Sequence, residues 1–273
     1  MKNILLTIEY DGTNFHGWQR QPHCRTVQGE LEKALSSVCR APITIDGTSR
    51  TDAGVHAHGQ RASFCGDFGI PVERIPLAVN NFLAGGMNSK TLPDVRIVDA
   101  CQVEESFHAR FDSKGKKYIY KIAAGDDLSI FERNYFYQMN EMLDIELMRE
   151  GAKYIVGTHD FKCFQASGGE EKSTTVRTIY GLDIYDRSAE NASADSADGQ
   201  AGKQQNIEIE IKGDGFLYNM VRIITGTLVE VGLGKRTPES IKDVIVSKDR
   251  SMAGHTAPPQ GLYLAEVYYN TIG

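Results

Sequence analysis

No stretch of this sequence approaches the roughly 18 consecutive apolar residues of a membrane-spanning helix. The first apolar run, Ile4 to Ile8, stops at Glu9 and is too short for the hydrophobic region of a secretory signal. There is no C-x-x-C pair. Five cysteines, Cys24, Cys39, Cys65, Cys101 and Cys163, are odd in number and widely spaced. That pattern excludes a disulfide framework, argues against a structural zinc and points to a reducing, cytoplasmic setting. The phosphate-cradling P-loop and the dinucleotide fingerprint G-x-G-x-x-G are missing as well. Positive charge is in deficit, with 30 Lys and Arg against 36 Asp and Glu and a net charge of -6. No overall field draws nucleic acid, so any such binding has to come from a local basic groove. What is present is 273 residues, 41% hydrophobic and 24% charged. This is the composition of a folded protein about two domains long, with enough chain to bury a full core.

Hydrophobic periodicity predicts an α+β organisation. Asn3 to Tyr10 reads as a strand closed by the turn signal Asp11-Gly12. Val27, Leu31, Ala34, Leu35 and Val38 share one helical face behind Thr26 as N-cap. Ile43-Thr44-Ile45 reads as a short strand leading into the polar segment Asp46 to His58. Further on, Ile119 to Ile122 is a strand, and Leu143, Leu147, Met148, Ala152 and Ile155 repeat at helical spacing. Val176, Thr178, Tyr180, Leu182 and Ile184 alternate with their neighbours, as do Ile207, Ile209 and Ile211, predicting two half-buried strands. Ser188 to Asn206 holds no apolar residue larger than Ala and reads as a solvated hairpin loop. Phe216 to Val231 is an apolar helix interrupted by Arg222, Thr237-Pro238 opens another, and Leu262 to Tyr269 is a closing strand. The two halves repeat an order of elements, and the expected lobes are residues 1–104 and 105–273, joined near Cys101 to Phe107.

The most informative stretch runs from Gly47 to Ala57, where Arg50 and Asp52 stand two residues apart in a polar loop before Gly54. A neighbouring guanidinium favours the charged carboxylate. An oriented carboxylate suits a nucleophile or a stabiliser of a sugar-like cation. An Asx-turn with a surface ion pair explains the same residues, and spacing alone favours it. His56 and His58 form an H-x-H pair without a third ligand cluster, which predicts loop packing rather than metal.

Motifs in order decide between the readings of Asp52. Arg50-Thr51-Asp52-x-Gly54-Val55-His56-Ala57, preceded by Glu9-Tyr10-Asp11-Gly12-x-x-Phe15-x-Gly17-Trp18-Gln19-x-Gln21, resembles the TruA family of tRNA pseudouridine synthases. Matching blocks continue through Phe107-His108-Ala109-Arg110-Phe111, Tyr118-x-Tyr120 and Gly157-Thr158-His159-Asp160-Phe161. Phe216-x-Tyr218-Asn219-Met220-Val221-Arg222 and Gly261-Leu262-Tyr263-Leu264 complete them. The resemblance spans the chain except the Ser188 to Asn206 loop. Ser49 stands where a glycine is common, and Lys116-Lys117 replaces an arginine-rich pair, keeping charge but losing bidentate phosphate geometry.

The resemblance implies cleavage of the N1–C1′ bond of a uridine, rotation of the uracil and rejoining through C5, with no cofactor and no metal. It implies Asp52 as the nucleophile; attack at C1′, attack at C6 and elimination all remain compatible with that role. It places Tyr118 against the target base, Arg222 beside Asp52 as its charge partner, and Arg50 near the displaced nucleotide. Arg110, Lys114, Lys116, Lys117 and Lys121 against Asp112 give a local charge of +4, suited to a phosphate backbone. Arg20, Arg25 and Arg61 extend that surface, and Trp18 and Gln19 brace the Asp52 loop or the RNA entrance. His159-Asp160-Phe161 receives no chemical role.

The implied architecture is two ferredoxin-like (RRM-like) lobes whose antiparallel sheets meet across a central active-site cleft. The implied activity is isomerisation of uridines 38, 39 and/or 40 in the tRNA anticodon stem-loop by a homodimer, with neither DNA nor membrane as partner. A catalytically silent tRNA-binding protein of the same fold would be expected to lose Asp52, Tyr118 or Arg222, and all three are present. A carboxylate-based hydrolase would need a second catalytic carboxyl, and none stands out beside Asp52.

Overall fold

Alternation along the first strand builds the first sheet. In β1 (Lys2–Tyr10), Ile4, Leu6, Ile8 and Tyr10 turn to the core. The structure, a computed structural model, describes residues 1–86, 89–126, 128–168, 173–188 and 204–270. These fall into two compact units, Met1–Lys114 with Tyr263–Gly273, and Gly115–Leu262.

In the first unit, β1 runs antiparallel to both β3 (His56–Gly66) and β4 (Val95–Val103), with Ile4 opposite Phe64 and Leu6 opposite Ala62. A two-residue strand, β2 (Asp46–Gly47), pairs antiparallel with β3. The last strand, Leu262–Tyr268, joins β3 in parallel, Tyr263 lying opposite His56. Helices α1 (Val27–Cys39) and α2 (Ile75–Leu83) pack on each other. The unit is thus a split β-α-β arrangement, β1 lying between β3 and β4. Thr26 caps α1 as expected, its hydroxyl accepting from the Gly29 N–H at 3.3 Å.

The strand expected at Ile43 to Ile45 is not one. Both isoleucines are buried, but α1 side chains hold their backbone: Ser36 Oγ accepts from Ile43 N–H at 2.9 Å and Glu32 Oε1 from Ile45 N–H at 3.1 Å. Alternation recorded burial, and the hydrogen bonds went to a helix instead of a ladder.

In the second unit, β5 (Gly115–Gly125) pairs antiparallel with β9 (Gln204–Gly213), β9 with β8 (Val176–Asp186), and β8 with β7 (Gly157–Asp160). β6 (Tyr137–Met139) lies parallel to β5. Helix α3 (Ile145–Ala152) packs on α4 (Met220–Gly232), and α5 (Ser240–Ser247) follows. Ile207, Ile209 and Ile211 are buried as their alternation predicts. In β8 the expected face is broken by a register shift between Ile179 and Gly181, which buries Ile179 and turns Tyr180 outward. The helix expected from Phe216 begins only at Met220, after Asn219 in the left-handed region at φ 58°. Helix α5 opens with backbone bonds to the Thr237 and Pro238 carbonyls and has no side-chain cap, contrary to the role expected of Thr237. Of the polar loop expected at Ser188 to Asn206, residues 189–203 lie outside the described residues. Among the described residues no helix is long and apolar enough to cross a membrane.

Replacing Thr26 by Ala removes the α1 cap and is expected to cost about 1 kcal/mol. Urea unfolding measures the loss, and Thr26→Ser should recover most of it.

Candidate active site

Polar loops stay in place only where other elements satisfy their backbone groups. Residues 48–55, between β2 and β3, are tied from both sides. Thr48 N–H donates to the Arg61 carbonyl at 2.8 Å, and its hydroxyl lies 3.0 Å from the Ala109 carbonyl and 3.1 Å from the Tyr269 hydroxyl. The fully buried Gln60 amide clamps Ser49, accepting from its N–H at 3.2 Å and donating to its carbonyl at 2.7 Å. Trp18 N–H donates to the Thr51 carbonyl at 3.0 Å, and the Tyr10 and Thr51 hydroxyls are 2.7 Å apart. Val55 N–H then closes a turn on the Asp52 carbonyl at 3.2 Å, with Gly54 at φ 78°. A Cβ on Gly12 would collide with the Val55 carbonyl, so the β1 turn presses directly against the loop. Within this frame Asp52 is half-buried and Arg50 is exposed.

His56 and His58 both stack on the Tyr263 ring, at centroid distances of 4.7 and 5.2 Å. Gly12 N–H also donates to His56 Nδ1 at 3.0 Å. The H-x-H pair is therefore a packing device that seats the last strand. Trp18, fully buried, braces the loop as expected. Arg20 and Arg25 are each paired with a carboxylate, Glu32 and Asp94, at 2.6 Å. Arg110 is half-buried in the segment after β4, whose Ala109 carbonyl meets Thr48.

In the second unit, Tyr118 lies on β5 opposite Ile211, and its buried ring meets Phe216 edge-on at 5.1 Å. Strand alternation puts Lys116, Tyr118 and Tyr120 on one face and Lys117 and Lys121 on the other. Lys117 Nζ lies 3.6 Å from Glu210 Oε2 on that opposite face. Only Lys116 of the lysine pair shares the side of Tyr118.

Arg222 is half-buried in the first turn of helix α4, between the buried Val221 and Ile223. Its Nε donates to the Ala257 carbonyl at 2.7 Å and its Nη1 to Asn219 Oδ1 at 2.9 Å, while Ala257 N–H returns a bond to the Arg222 carbonyl at 3.1 Å. The next residue, Pro258, accepts from the Tyr120 hydroxyl at 2.6 Å. Burial pushes the Tyr120 phenol well above its usual value, against a smaller lowering by the Arg222 charge. Residues 254–258 thus form a strap that joins Arg222 to the strand of Tyr118. The strap lies along α4: Gly254 N–H donates to Thr227 Oγ1 at 2.9 Å and His255 N–H to Glu230 Oε1 at 3.0 Å. A Cβ on Gly226 would collide with the His255 carbonyl.

The motif left without a role, His159-Asp160-Phe161, has a structural one. Asp160 accepts from Lys162 N–H at 3.2 Å and from the Thr175 hydroxyl, and pairs with Lys248 at 2.9 Å. The Thr175 bond, with Lys248 behind it, lowers its carboxyl pKa. This fixes the short 3₁₀ turn Phe161–Phe164, whose two phenylalanines are fully buried. Sequence reading gave Phe216 and Asn219 as members of a motif without a role, and missed Gln60 and the strap. Of these only the segment Thr256-Ala257-Pro258-Pro259, with its paired prolines after a helix, offered a signal of fixed backbone.

A braced aspartate loop in one unit, and a buried tyrosine strand tied to an anchored arginine in the other, are features of a protein built around specific side chains. A family model described as tRNA pseudouridine synthase matches residues 6–112 and 152–270. Over 270 residues the chain is 45% identical to tRNA pseudouridine synthase A of Ruminiclostridium cellulolyticum, covering 98% of this chain and 100% of that one. It is 44% identical over 271 residues to tRNA pseudouridine synthase A 2 of Clostridium tetani, covering 98% and 99%. A Thermoanaerobacter relative, also a tRNA pseudouridine synthase A, is 44% identical over 269 residues, covering 98% and 100%. The chain belongs to the tRNA pseudouridine synthase family, a family of isomerases.

Glu230 gives a pH test of the strap. Burial raises its pKa, but the His255 N–H, the His255 ring and Arg236 outweigh it and leave the carboxyl below its ordinary 4.5. A depressed carboxylate contributes stability above its unfolded pKa and loses it as pH falls through the folded value. Glu230→Gln should therefore lower the Tm at pH 7, and the gap from the native protein should shrink steadily below pH about 4.5. Thermal melts across that range check it.

Proposed function

We propose that this protein converts uridine to pseudouridine in the anticodon stem-loop of tRNA, at one or more of positions 38, 39 and 40, with Asp52 as the nucleophile. The observation that carries the proposal is the loop of residues 48–55, whose backbone is held by Gln60 and Trp18 and whose Thr51 hydroxyl is met by Tyr10, while the Asp52 side chain is left half-buried. A carboxylate on so constrained a backbone suits attack in one direction. The relatives' names and the family match support tRNA as the substrate.

In the reaction the N1–C1′ bond breaks, a C5–C1′ bond forms, C5 loses its proton and N1 gains one. In this reading the chain is two ferredoxin-like lobes, residues 1–104 carrying Asp52 and 105–273 carrying Tyr118 and Arg222. The Arg222 guanidinium, held by Asn219 and Ala257, is in the same reading the charge partner of the catalytic carboxylate. Tyr118, steadied by Phe216, stacks on the extruded uracil and assists loss of the C5 proton. Arg50, exposed at the loop, holds the displaced nucleotide. Arg110 and Lys116 contact phosphates, and Lys117 joins them only by leaving Glu210. Two copies acting on one tRNA in the cytoplasm combine their basic patches against the negative total charge.

Tritium release from tRNA labelled at uridine C5 tests the reaction. The native protein should release tritium, and Asp52→Ala should be slower by a thousandfold or more, as expected on loss of a nucleophile. Tight tRNA binding without release by the native protein would favour a silent binder, and free uracil would favour a hydrolase. Tyr118→Phe should bind tRNA but turn over more slowly; unchanged turnover removes the proton-transfer role. Sequencing pseudouridines in tRNA from cells lacking the protein checks the three positions.

A further inference from the structure

We infer that Phe111 is a stacking platform for an unpaired nucleobase of the tRNA, a proposal that rests on the tRNA reading above. Phe111 leaves 74% of its surface exposed, among the most open of the large apolar side chains. Exposure of that kind is unremarkable on a loose loop, but this loop is fixed on both sides of the ring. Ala109 is fully buried, its N–H bonded to Ser63 Oγ at 3.0 Å and its carbonyl to the Tyr269 hydroxyl at 3.0 Å. His108 N–H donates to Asp112 Oδ2 at 2.7 Å, and Asp112 N–H returns to the His108 carbonyl at 3.1 Å. Lys114 N–H is bonded to the Tyr268 carbonyl at 2.7 Å. The ring is therefore presented to solvent by a preorganised backbone.

Its neighbours indicate the occupant. The His108 ring lies 4.3 Å from the Phe111 ring and the Arg110 guanidinium carbon 6.0 Å from its centroid. An exposed ring beside a guanidinium and an imidazole is poorly matched to an apolar protein surface. It is well matched to a nucleobase, which stacks on the ring while its phosphate meets the cations. Position agrees. The Ala109 carbonyl is 3.0 Å from the Thr48 hydroxyl, at the start of the loop that carries Asp52, so this ring and the nucleophile belong to one braced assembly. A base held here belongs to the same stem-loop as the reacting uridine.

The test uses the full chain and tRNA. Phe111→Ala should weaken tRNA binding about tenfold, with the loss appearing in KM and not in kcat. Phe111→Trp should restore affinity and Phe111→Leu should not. The slope of log Kd against log salt should stay the same in Phe111→Ala, while Arg110→Ala lowers it by about one. Anticodon stem-loops carrying a single abasic nucleotide, scanned along the loop, should include one on which the Phe111→Ala penalty vanishes. Native affinity in Phe111→Ala or in Phe111→Leu overturns the proposal, as does a scan in which no abasic position removes the penalty. A shift of Phe111→Ala to a smaller oligomer in sedimentation also overturns it, because the ring would then serve a second copy of the chain. Failure of the native protein to release tritium would count against the isomerase reading, not against this binding series.

Discussion

A side chain on a polar loop has to be held by something other than the loop itself, because a polar loop alone leaves its backbone to water and its side chains undirected. In this protein the holding is done by the Gln60 amide, which occupies a fully buried position in the row of β3 that otherwise carries Ala62 and Phe64. A polar side chain there is stable only because Ser49 satisfies both ends of it. From that clamp the rest of the first unit follows. The loop runs against the β1 turn at Gly12 and Trp18, Thr48 reaches the segment after β4, and Tyr263 of the last strand seats on His56 and His58.

The second unit applies the same rule to a cation. A partly buried guanidinium among apolar side chains is costly unless its donors are met. Arg222 meets them with the Ala257 carbonyl and the Asn219 amide, both fixed in turn. Asn219 sits at φ 58°, where its side chain can turn back to the helix it precedes. The strap that supplies Ala257 lies close enough to α4 that only glycine fits at Gly226. Helix, strap and strand β5 are therefore one unit of structure, joined at Tyr120, and a change in any one of them is felt at Arg222.

Charge follows the pleat of β5. The net charge of -6 gives no general attraction for RNA. Lys117 and Lys121 face one side and Lys116 the other, with Lys117 committed to Glu210. Arg20 and Arg25 are likewise committed to Glu32 and Asp94. A run of basic residues in sequence thus overstates the field on any one face, because a strand divides its side chains between two.

Periodicity alone determined what depends on local chemistry: the burial of Ile4, Leu6 and Ile8, the α1 face with its Thr26 cap, and the row Ile207, Ile209 and Ile211. The ordered motifs around Asp52, Tyr118 and Arg222 were enough to point to the family, because several blocks recur in order over nearly the whole chain, whereas the spacing of Arg50 and Asp52 alone favours a surface ion pair. Other features were decided only on folding. Ile43 and Ile45 look like a strand, yet Ser36 and Glu32 take their hydrogen bonds. One extra residue near Gly181 moves Tyr180 to the outside. Gln60 and Ser49 are eleven residues apart, Ala257 and Arg222 thirty-five, and the final strand returns to the first unit beside His56. Local propensity depends on neighbours along the chain, whereas hydrogen-bond satisfaction depends on neighbours in space. The second set exists only once the core has brought distant segments together.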